Sequence, residues 1–327
     1  MGLPSLPAPS QGALGWAAAL LAGGMSALAF AFALSHADTL MVLVAYLAPA
    51  PLLAAGLGAG VVAGLVASVV GTAGLVLFGQ DSMALFYVVI YALPAAVLAA
   101  LALRSRLGHD GQVYWYPEGY IVTALALYAG ALFILVATLV ARHEGGLLAL
   151  STQVLTELAQ RLEASIPPEE KGSLPPLADM IPHAARTLPA MLGGAWILVM
   201  VFSGLAAQSS LRQQNWHLRT TGFRWSGLVV PRWLILVTAA MGIVGFVAAD
   251  PYGYIATNTC AILCLPFLFV GLAVVHALAG RQKTPWVWLA AFYIVLGVFI
   301  WPVLFVVLLG VVDQLRPFRR EQELVPR

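Results

Sequence analysis

Long apolar runs separated by short polar segments make up most of the chain. Ionised side chains are absent, except near the ends, from the runs 13–34, 40–58, 59–78, 84–103, 120–141, 188–208, 230–249, 254–279 and 286–312. A bilayer core needs about 20 apolar residues per helix. In lipid the backbone must satisfy its own hydrogen bonds, which favours helices. The pattern predicts an all-α, polytopic transmembrane helical bundle with eight to ten membrane segments, forming one integral membrane domain over residues 1–327.

The composition supports lipid as the main solvent. Of the 327 residues, 61% are hydrophobic and 9% are charged, whereas soluble domains carry roughly a quarter charged residues. Residues 1–12 contain no Lys or Arg, so the charged start of a cleaved signal peptide is missing. We therefore expect residues 13–34 to be the first membrane helix.

Basic residues concentrate in alternate loops. Arginine or lysine lies in loops 104–119, 209–232 and 280–285, and these loops alternate with Asp81, loop 142–187 and Asp250. Positive charges mark cytoplasmic loops. The alternation predicts that loop 142–187 is not cytoplasmic, and we expect the protein to lie in a bacterial inner membrane. Within that loop, leucines at helical spacing predict an amphipathic helix over 147–165, either lying on the membrane or forming a lid over a cavity.

Whether the last apolar region forms one helix or two decides on which side of the membrane the C-terminus lies. The tail carries Arg316, Arg319 and Arg320, which predicts a cytoplasmic location, whereas one helix over 286–312 would place it outside. Proline removes a backbone donor and disfavours a helical residue before it. We therefore expect a break at Trp301-Pro302 and both termini in the cytoplasm. One long tilted helix is the alternative.

A row of small residues predicts close helix packing. Gly56, Gly60 and Gly64 repeat at every fourth position, a spacing that lets two helix backbones approach one another. We favour packing within the protein over oligomerisation.

Catalytic and metal-binding signatures are missing from the sequence. It contains no phosphate-binding glycine loop followed by Lys-Ser or Lys-Thr, no His-Glu-x-x-His and no Gly-x-Ser-x-Gly. Cys260 and Cys264 have no nearby His or carboxylate in sequence. We therefore expect them to act as small hydrophobic residues rather than as metal ligands. We expect no enzymatic activity, no cofactor and no metal.

Candidate ligand-binding residues lie in and just before the run 254–279. Polar side chains inside a membrane are costly and often functional. The candidates are Asp250, Tyr252, Tyr254, Asn258 and His276. The first four form a polar rim on the predicted outer side, which favours an interfacial belt over a binding site, since tyrosine is enriched at that depth.

Four stretches carry a family resemblance over about half of the chain. They are Ile181-Pro182 through Leu188-Pro189 to Gln208–Arg212; Phe223-Arg224-Trp225 with Pro231-Arg232-Trp233; Asn258, Leu265-Pro266-Phe267 and Gly271–His276; and Leu309–Asp313 with Phe318-Arg319-Arg320. In these the chain resembles the YybS-like family of bacterial membrane proteins, which is distantly similar to the substrate-binding subunits of energy-coupling-factor vitamin transporters. The resemblance implies a helical bundle with an outward-facing cavity and a partner that couples ATP hydrolysis.

Two functional hypotheses are favoured on the sequence, and a membrane enzyme built from Tyr and Asn residues stays open as a third. The first is a transport-related membrane subunit that binds a small ligand, and the second is a non-catalytic membrane scaffold or assembly partner. The expected partners are membrane lipids and other membrane protein subunits. Loop 209–232 mixes arginine with tryptophan, which favours anchoring at lipid headgroups over RNA, so we expect no nucleic acid.

Overall fold

The computed structural model describes residues 12–35, 44–141, 145–165, 177–221, 227–299 and 301–316. In chain order the elements are α1 (Ala13–Ser35), α2 (Pro49–Ala59), α3 (Val61–Leu77), α4 (Asp81–Tyr87), a π-helical turn (Val88–Ala92), α5 (Leu93–Ala102), β1 (Ser105–Leu107), β2 (Val113–Trp115), α6 (Glu118–Val140), α7 (Gly146–Ser165), α8 (Leu177–Gln213), α9 (Trp233–Val247), α10 (Tyr252–Ala279), α11 (Pro285–Val298) and α12 (Pro302–Leu315). The predicted helical class is confirmed. The motif Phe223-Arg224-Trp225 and the basic tail residues Arg319 and Arg320 lie outside the described residues.

Among the described residues, five helical segments are long and apolar enough to cross a membrane by length and composition. They are Ala13–Ala33, Asp81–Ala102, Glu118–Val140, Leu177–Gln213 and Tyr252–Ala279. The other apolar helices have 10–17 residues. A helix of 14 residues, such as α11 or α12, is about 21 Å long, which is short of a hydrocarbon core of about 30 Å. The structure thus supports a multi-helix membrane protein, but not the predicted count of eight to ten spans.

Chain breaks account for the shorter helices. The last apolar region divides into α11 and α12 around Phe299 and Trp301, as the Trp301-Pro302 pair predicts. In front of α8 the helix is longer than the sequence predicts. The loop 142–187 and the apolar run 188–208 predict a helix that begins near residue 188, yet α8 begins at Leu177 and continues through both Pro182 and Pro189. A proline removes only one amide donor, and the loss can be repaired locally.

The described residues cluster into two compact units. Unit 1 comprises residues 1–125 and 197–227, and unit 2 comprises residues 126–196 and 228–327. Helices α6 and α8 each contribute to both units. A single membrane domain over the whole chain stays a prediction.

In unit 1, glycines allow helices to pack closely. Gly56 and Gly64 face one another, because a β-carbon at Gly64 would lie 2.9 Å from the Gly56 Cα. The sequence placed both on one stripe with Gly60, but Gly60 lies in the turn between α2 and α3, with φ of 99°. A positive φ of this kind favours glycine. Gly60 therefore serves chain reversal rather than the predicted helix packing.

Buried tyrosines satisfy backbone groups near a proline in unit 1. Pro49 has no amide hydrogen to donate to Ala45, four residues earlier. The Ala45 carbonyl instead accepts from the Ala48 amide and from the Tyr91 hydroxyl, both at 3.1 Å. Nearby, Tyr87 donates to the Ser26 hydroxyl at 2.8 Å. A tyrosine hydroxyl thus adds a second donor to a carbonyl just before the start of α2.

A short hairpin that the sequence did not predict joins α5 to α6. Strands β1 and β2 pair antiparallel, with Arg106 opposite Tyr114. Asp110 in the turn accepts hydrogen bonds from the Gln112 amide and the Tyr114 hydroxyl. These bonds, the tyrosine's first, lower the pKa of the Asp110 carboxyl. Three-residue strands give too short a pattern to be detected against longer apolar runs.

In unit 2, α10 is the central helix and packs against α9 and α12. It meets α12 where two glycines leave room. A β-carbon at Gly271 would overlap the Val306 carbonyl oxygen, and one at Gly310 would overlap the Phe267 carbonyl oxygen. The two backbones therefore touch directly at this crossing.

Candidate ligand cavity at the start of helix α10

Three polar side chains lie in and just before the first turns of α10. Tyr254 and Asn258 are spaced four apart within the helix, which places them one above another, and Asp250 precedes the helix. The Asp250 Oδ1 accepts a hydrogen bond from the Tyr254 amide at 3.1 Å. Helix-start amides lack partners within the helix, so this carboxylate stabilises the beginning of α10.

Tyr254 reaches a carbonyl that a proline leaves without its helical donor. In α8, Pro189 has no amide hydrogen for Ala185, four residues earlier. The Tyr254 hydroxyl donates to the Ala185 carbonyl at 3.3 Å and lies 3.4 Å from the Ser151 hydroxyl on α7. Tyr254 is 4% exposed. Its hydroxyl thereby joins α7, α8 and α10.

Asn258 uses its whole carboxamide on backbone groups. Its Oδ1 accepts from the Ala190 amide at 3.0 Å, and its Nδ2 donates to the carbonyls of Arg186 at 2.9 Å and Tyr254 at 3.0 Å. A carboxamide has two donor hydrogens, and both are engaged. Asn258 is 2% exposed, so it binds helix α8 rather than a ligand.

An ion pair closes the solvent side of this cluster. Arg186 Nη2 lies 2.9 Å from Asp250 Oδ2, and the two side chains are 59% and 42% exposed. Exposed pairs contribute about 0–1 kcal/mol. The pair therefore holds the Asp250 carboxylate in place, and separating the two side chains costs little free energy.

A cavity of about 340 Å³ lies beside these residues. Its walls are formed by the end of α6, the beginning of α7 and the beginning of α10. The lining residues are Ala137, Ala141, Gly145, Gly146, Leu147, Leu148, Asp250, Pro251, Tyr254 and Ile255. A mostly apolar wall with a few polar groups is typical of small-molecule sites.

The structure brings together only part of the predicted ligand-binding set. Asp250 and Tyr254 line the cavity, and Asn258 lies buried behind them. Tyr252 is 72% exposed and does not line the cavity. His276 lies 18 residues beyond Asn258 in the same helix, about 27 Å away, where its Nδ1 contacts the Leu272 carbonyl and its Nε2 is 3.5 Å from the Tyr293 hydroxyl.

Sequence reasoning missed Ser151, Arg186 and Pro189 as parts of this site. Ser151 and Arg186 lie 103 and 64 positions from Tyr254 and Asp250, and Ala185, which Pro189 leaves without its helical donor, lies 69 positions from Tyr254. No local pattern joins residues so far apart. The sequence offered two clues to the site. One is the four-residue spacing from Asp250 to Asn258, and the other is a proline in another helix, which leaves a carbonyl there without its amide donor.

A second polar cluster, also missed, lies in unit 1. The Arg219 guanidinium pairs with Glu118 and donates to the Ala102 carbonyl at 3.3 Å, with its Cζ 5.8 Å from the centre of the Trp115 ring. Burial lowers the pKa of Arg219, while Glu118 raises it and Arg212 lowers it further. The adjoining cavity measures only about 80 Å³, too small for more than a few waters.

Metal chemistry finds no support in the described part of the chain. No group of three or more His, Cys, Asp or Glu side chains there could hold an ion. Cys260 and Cys264 are both free thiols, and Cys260 contacts the Thr238 carbonyl at 3.4 Å.

Comparison with known proteins matches most of the chain to one family. A family model described as "Predicted membrane protein (DUF2232)" matches residues 26–314, which includes the cavity and both ion pairs. No curated protein matches the chain, and no solved structure matches it. The chain belongs to the DUF2232 family of predicted membrane proteins.

Proposed function

We propose that this membrane protein binds a small amphipathic molecule in the cavity at the start of α10. The observation that carries the proposal is the cavity itself, about 340 Å³ with apolar walls and the polar groups of Asp250 and Tyr254. Ligand pockets commonly measure about 300–1,000 Å³. The apolar walls suit the body of the ligand, and the Asp250 carboxylate suits a cationic or hydrogen-bond-donating group.

We further propose that the protein acts as a non-catalytic ligand-binding subunit of a transport assembly. The resemblance to the YybS-like family, and through it to substrate-binding subunits of energy-coupling-factor transporters, supports this role. Its partners are then membrane lipids and other membrane subunits, including one that hydrolyses ATP. Nucleic acid has no place in the assembly.

Filling the cavity should abolish ligand binding. Leu148→Trp places an indole among the lining residues, whereas Leu150→Trp adds the same group at a position that is 44% exposed and outside the lining. A ligand at 100 times its Kd stabilises the folded state by about 2.7 kcal/mol. Thermal unfolding in detergent, with a panel of vitamins and metabolites, should show stabilisation of the parent chain and of Leu150→Trp, but not of Leu148→Trp.

Two results would count against binding in this cavity. If a ligand stabilises both tryptophan variants equally, it binds elsewhere. If no compound stabilises the parent chain, the scaffold hypothesis becomes the better one.

A second candidate function, a membrane scaffold, is favoured by a groove in unit 1. The groove has a volume of about 580 Å³ and is lined largely by small residues of α1, α2 and α8, including Ala18, Ala54 and Ser210. Small residues permit close approach of another helix. A photo-crosslinking residue at Ala18 should capture a stable protein neighbour if this candidate is correct, and only lipid if it is not.

We propose a bacterial inner-membrane location with both termini in the cytoplasm. The alternation of basic and acidic loops supports it. Fusion of alkaline phosphatase and of a fluorescent protein after residue 327 tests the orientation. Fluorescence without phosphatase activity is expected, and phosphatase activity would place the tail outside.

A further inference from the structure

Asn258 contacts two backbone groups that a regular helix would join to each other. In an α-helix the amide of residue 190 bonds the carbonyl of residue 186. Here the Ala190 amide donates to Asn258 Oδ1 at 3.0 Å, and Asn258 Nδ2 donates to the Arg186 carbonyl at 2.9 Å. A side chain from α10 thus bridges one turn of α8.

The bridged turn is the one that Pro189 weakens. The proline ring crowds the carbonyl four residues earlier and withholds its donor, and Tyr254 supplies a hydroxyl to that carbonyl, Ala185. Free backbone groups in a membrane cost several kcal/mol each. Asn258 and Tyr254 therefore hold three backbone groups around Pro189 against the start of α10.

We propose that Pro189 is a hinge in α8, and that Asn258 and Tyr254 form a latch that closes it onto α10. With the latch closed, Asn258 bridges Ala190 and Arg186. With it open, those two groups bond directly in the regular helical manner, while the Tyr254 hydroxyl keeps its contact with Ser151 and leaves the Ala185 carbonyl. The closed state is therefore favoured, and a ligand opens the latch only if its binding offsets the hydrogen bonds lost at Ala185 and Asn258.

The latch regulates the cavity proposed above, and its role in binding rests on that proposed function. Asp250 lines the cavity and pairs with Arg186, which lies on the α8 segment before the hinge. When that segment, residues 177–188, swings away from α10, Arg186 leaves Asp250. The carboxylate is then available to a cationic group of a ligand.

Asparagine suits this position for a chemical reason. The latch needs an acceptor for the Ala190 amide and donors for two carbonyls at once, and only a carboxamide supplies both on one side chain. Leucine has the same number of side-chain heavy atoms and the same branching, with neither function. Asn258→Leu is therefore the variant that opens the latch with the least change in packing.

Distances between spin labels can report the hinge without any ligand. One pair spans it: Met180→Cys on α8 before Pro189 and Tyr252→Cys on α10, at positions 60% and 72% exposed. A control pair lies beyond it: Leu192→Cys and Ile243→Cys, 61% and 64% exposed. Both pairs are made with Cys260 and Cys264 replaced by serine and are measured by double electron–electron resonance in detergent.

Asn258→Leu should broaden the 180–252 distance distribution and shift it to longer distances, with the 192–243 distribution unchanged. Adding Pro189→Ala should restore the narrow distribution, because residue 189 regains its amide. Tyr254→Phe, which removes one hydroxyl, should give a smaller shift of the same sign and serves if the leucine variant does not fold. Unchanged 180–252 distances in the variant that folds would overturn the latch.

The outcomes separate the latch from the binding proposal. The distances are measured without ligand, so a failed ligand screen leaves the latch standing. Conversely, a ligand lost with Leu148→Trp, combined with rigid 180–252 distances in the latch variants, supports the cavity and removes the hinge.

Discussion

Replacing Glu118 with alanine is expected to produce one of the largest losses of stability in this protein. The substitution leaves the Arg219 guanidinium, whose side chain is 8% exposed, without its carboxylate partner. Breaking a buried ion pair by removing one member costs about 3–5 kcal/mol, because the remaining charge stays desolvated. The free energy of unfolding in detergent, or the thermal midpoint, measures the loss.

The remaining contacts of Arg219 do not compensate for the missing carboxylate. The Ala102 carbonyl and the Trp115 ring interact with the guanidinium, but neither carries a negative charge. The nearby Arg212 also disfavours the charged form of Arg219, so it does not offset the loss of Glu118. Adding Arg219→Leu to Glu118→Ala should therefore recover part of the stability.

The exposed pair Arg186–Asp250 provides the matched control. Its side chains are 59% and 42% exposed, so Arg186→Ala should cost no more than about 1 kcal/mol. Equal losses in Glu118→Ala and Arg186→Ala would mean that Arg219 is hydrated in solution.

The importance of Glu118 could not be predicted from its surroundings in the sequence. It lies at the end of a basic loop, and Arg219 lies in another basic loop that we expected to contact lipid headgroups. The two are 101 positions apart. Local composition indicates on which side of a membrane a loop lies, but it carries no information about which charges pair.

The helices themselves were predictable, whereas their ends were less so. Apolar run length predicts a membrane helix because lipid leaves the backbone few other ways to bond. The same argument does not predict where a run is interrupted. Gly60 looked like a packing residue and lies in a turn. Helix α8 continues through Pro189, where the Tyr254 hydroxyl donates to the carbonyl that the proline leaves without its helical donor.

The polar rim at the candidate site shows the same limit of prediction from sequence. Sequence placed Asp250, Tyr254 and Asn258 in one polar rim, and in the structure Asp250 and Tyr254 line the cavity. The structure gives Asn258 a different role, since the carboxamide is engaged by the backbone around Pro189. Only the fold shows that the partner of this polar side chain is the backbone around a proline in another helix.

Gly310→Ala should strongly destabilise unit 2, although it adds a single methyl group. The new β-carbon would overlap the Phe267 carbonyl oxygen and lie 2.9 Å from the Gly271 amide nitrogen. Both are backbone atoms and cannot rotate away, so α10 and α12 must separate. Overpacking of this kind costs about 1–3 kcal/mol, occasionally more, and the separation also weakens neighbouring contacts along the crossing.

Gly297→Ala on α11 is the matched control. Nothing lies within 4 Å of a β-carbon at Gly297, and alanine is favoured over glycine within a helix by about 1 kcal/mol. Thermal unfolding in detergent should show a lower midpoint for Gly310→Ala and an unchanged or higher one for Gly297→Ala. Equal midpoints would mean that α10 and α12 do not cross at these glycines.

The double variant Gly271→Ala with Gly310→Ala tests the crossing itself. Each glycine faces the other helix's backbone at the same place, so one separation of α10 from α12 would accommodate both methyl groups. The combined loss should then be smaller than the sum of the two single losses, as expected for residues that share a contact. Strict additivity would instead indicate two independent sites of strain.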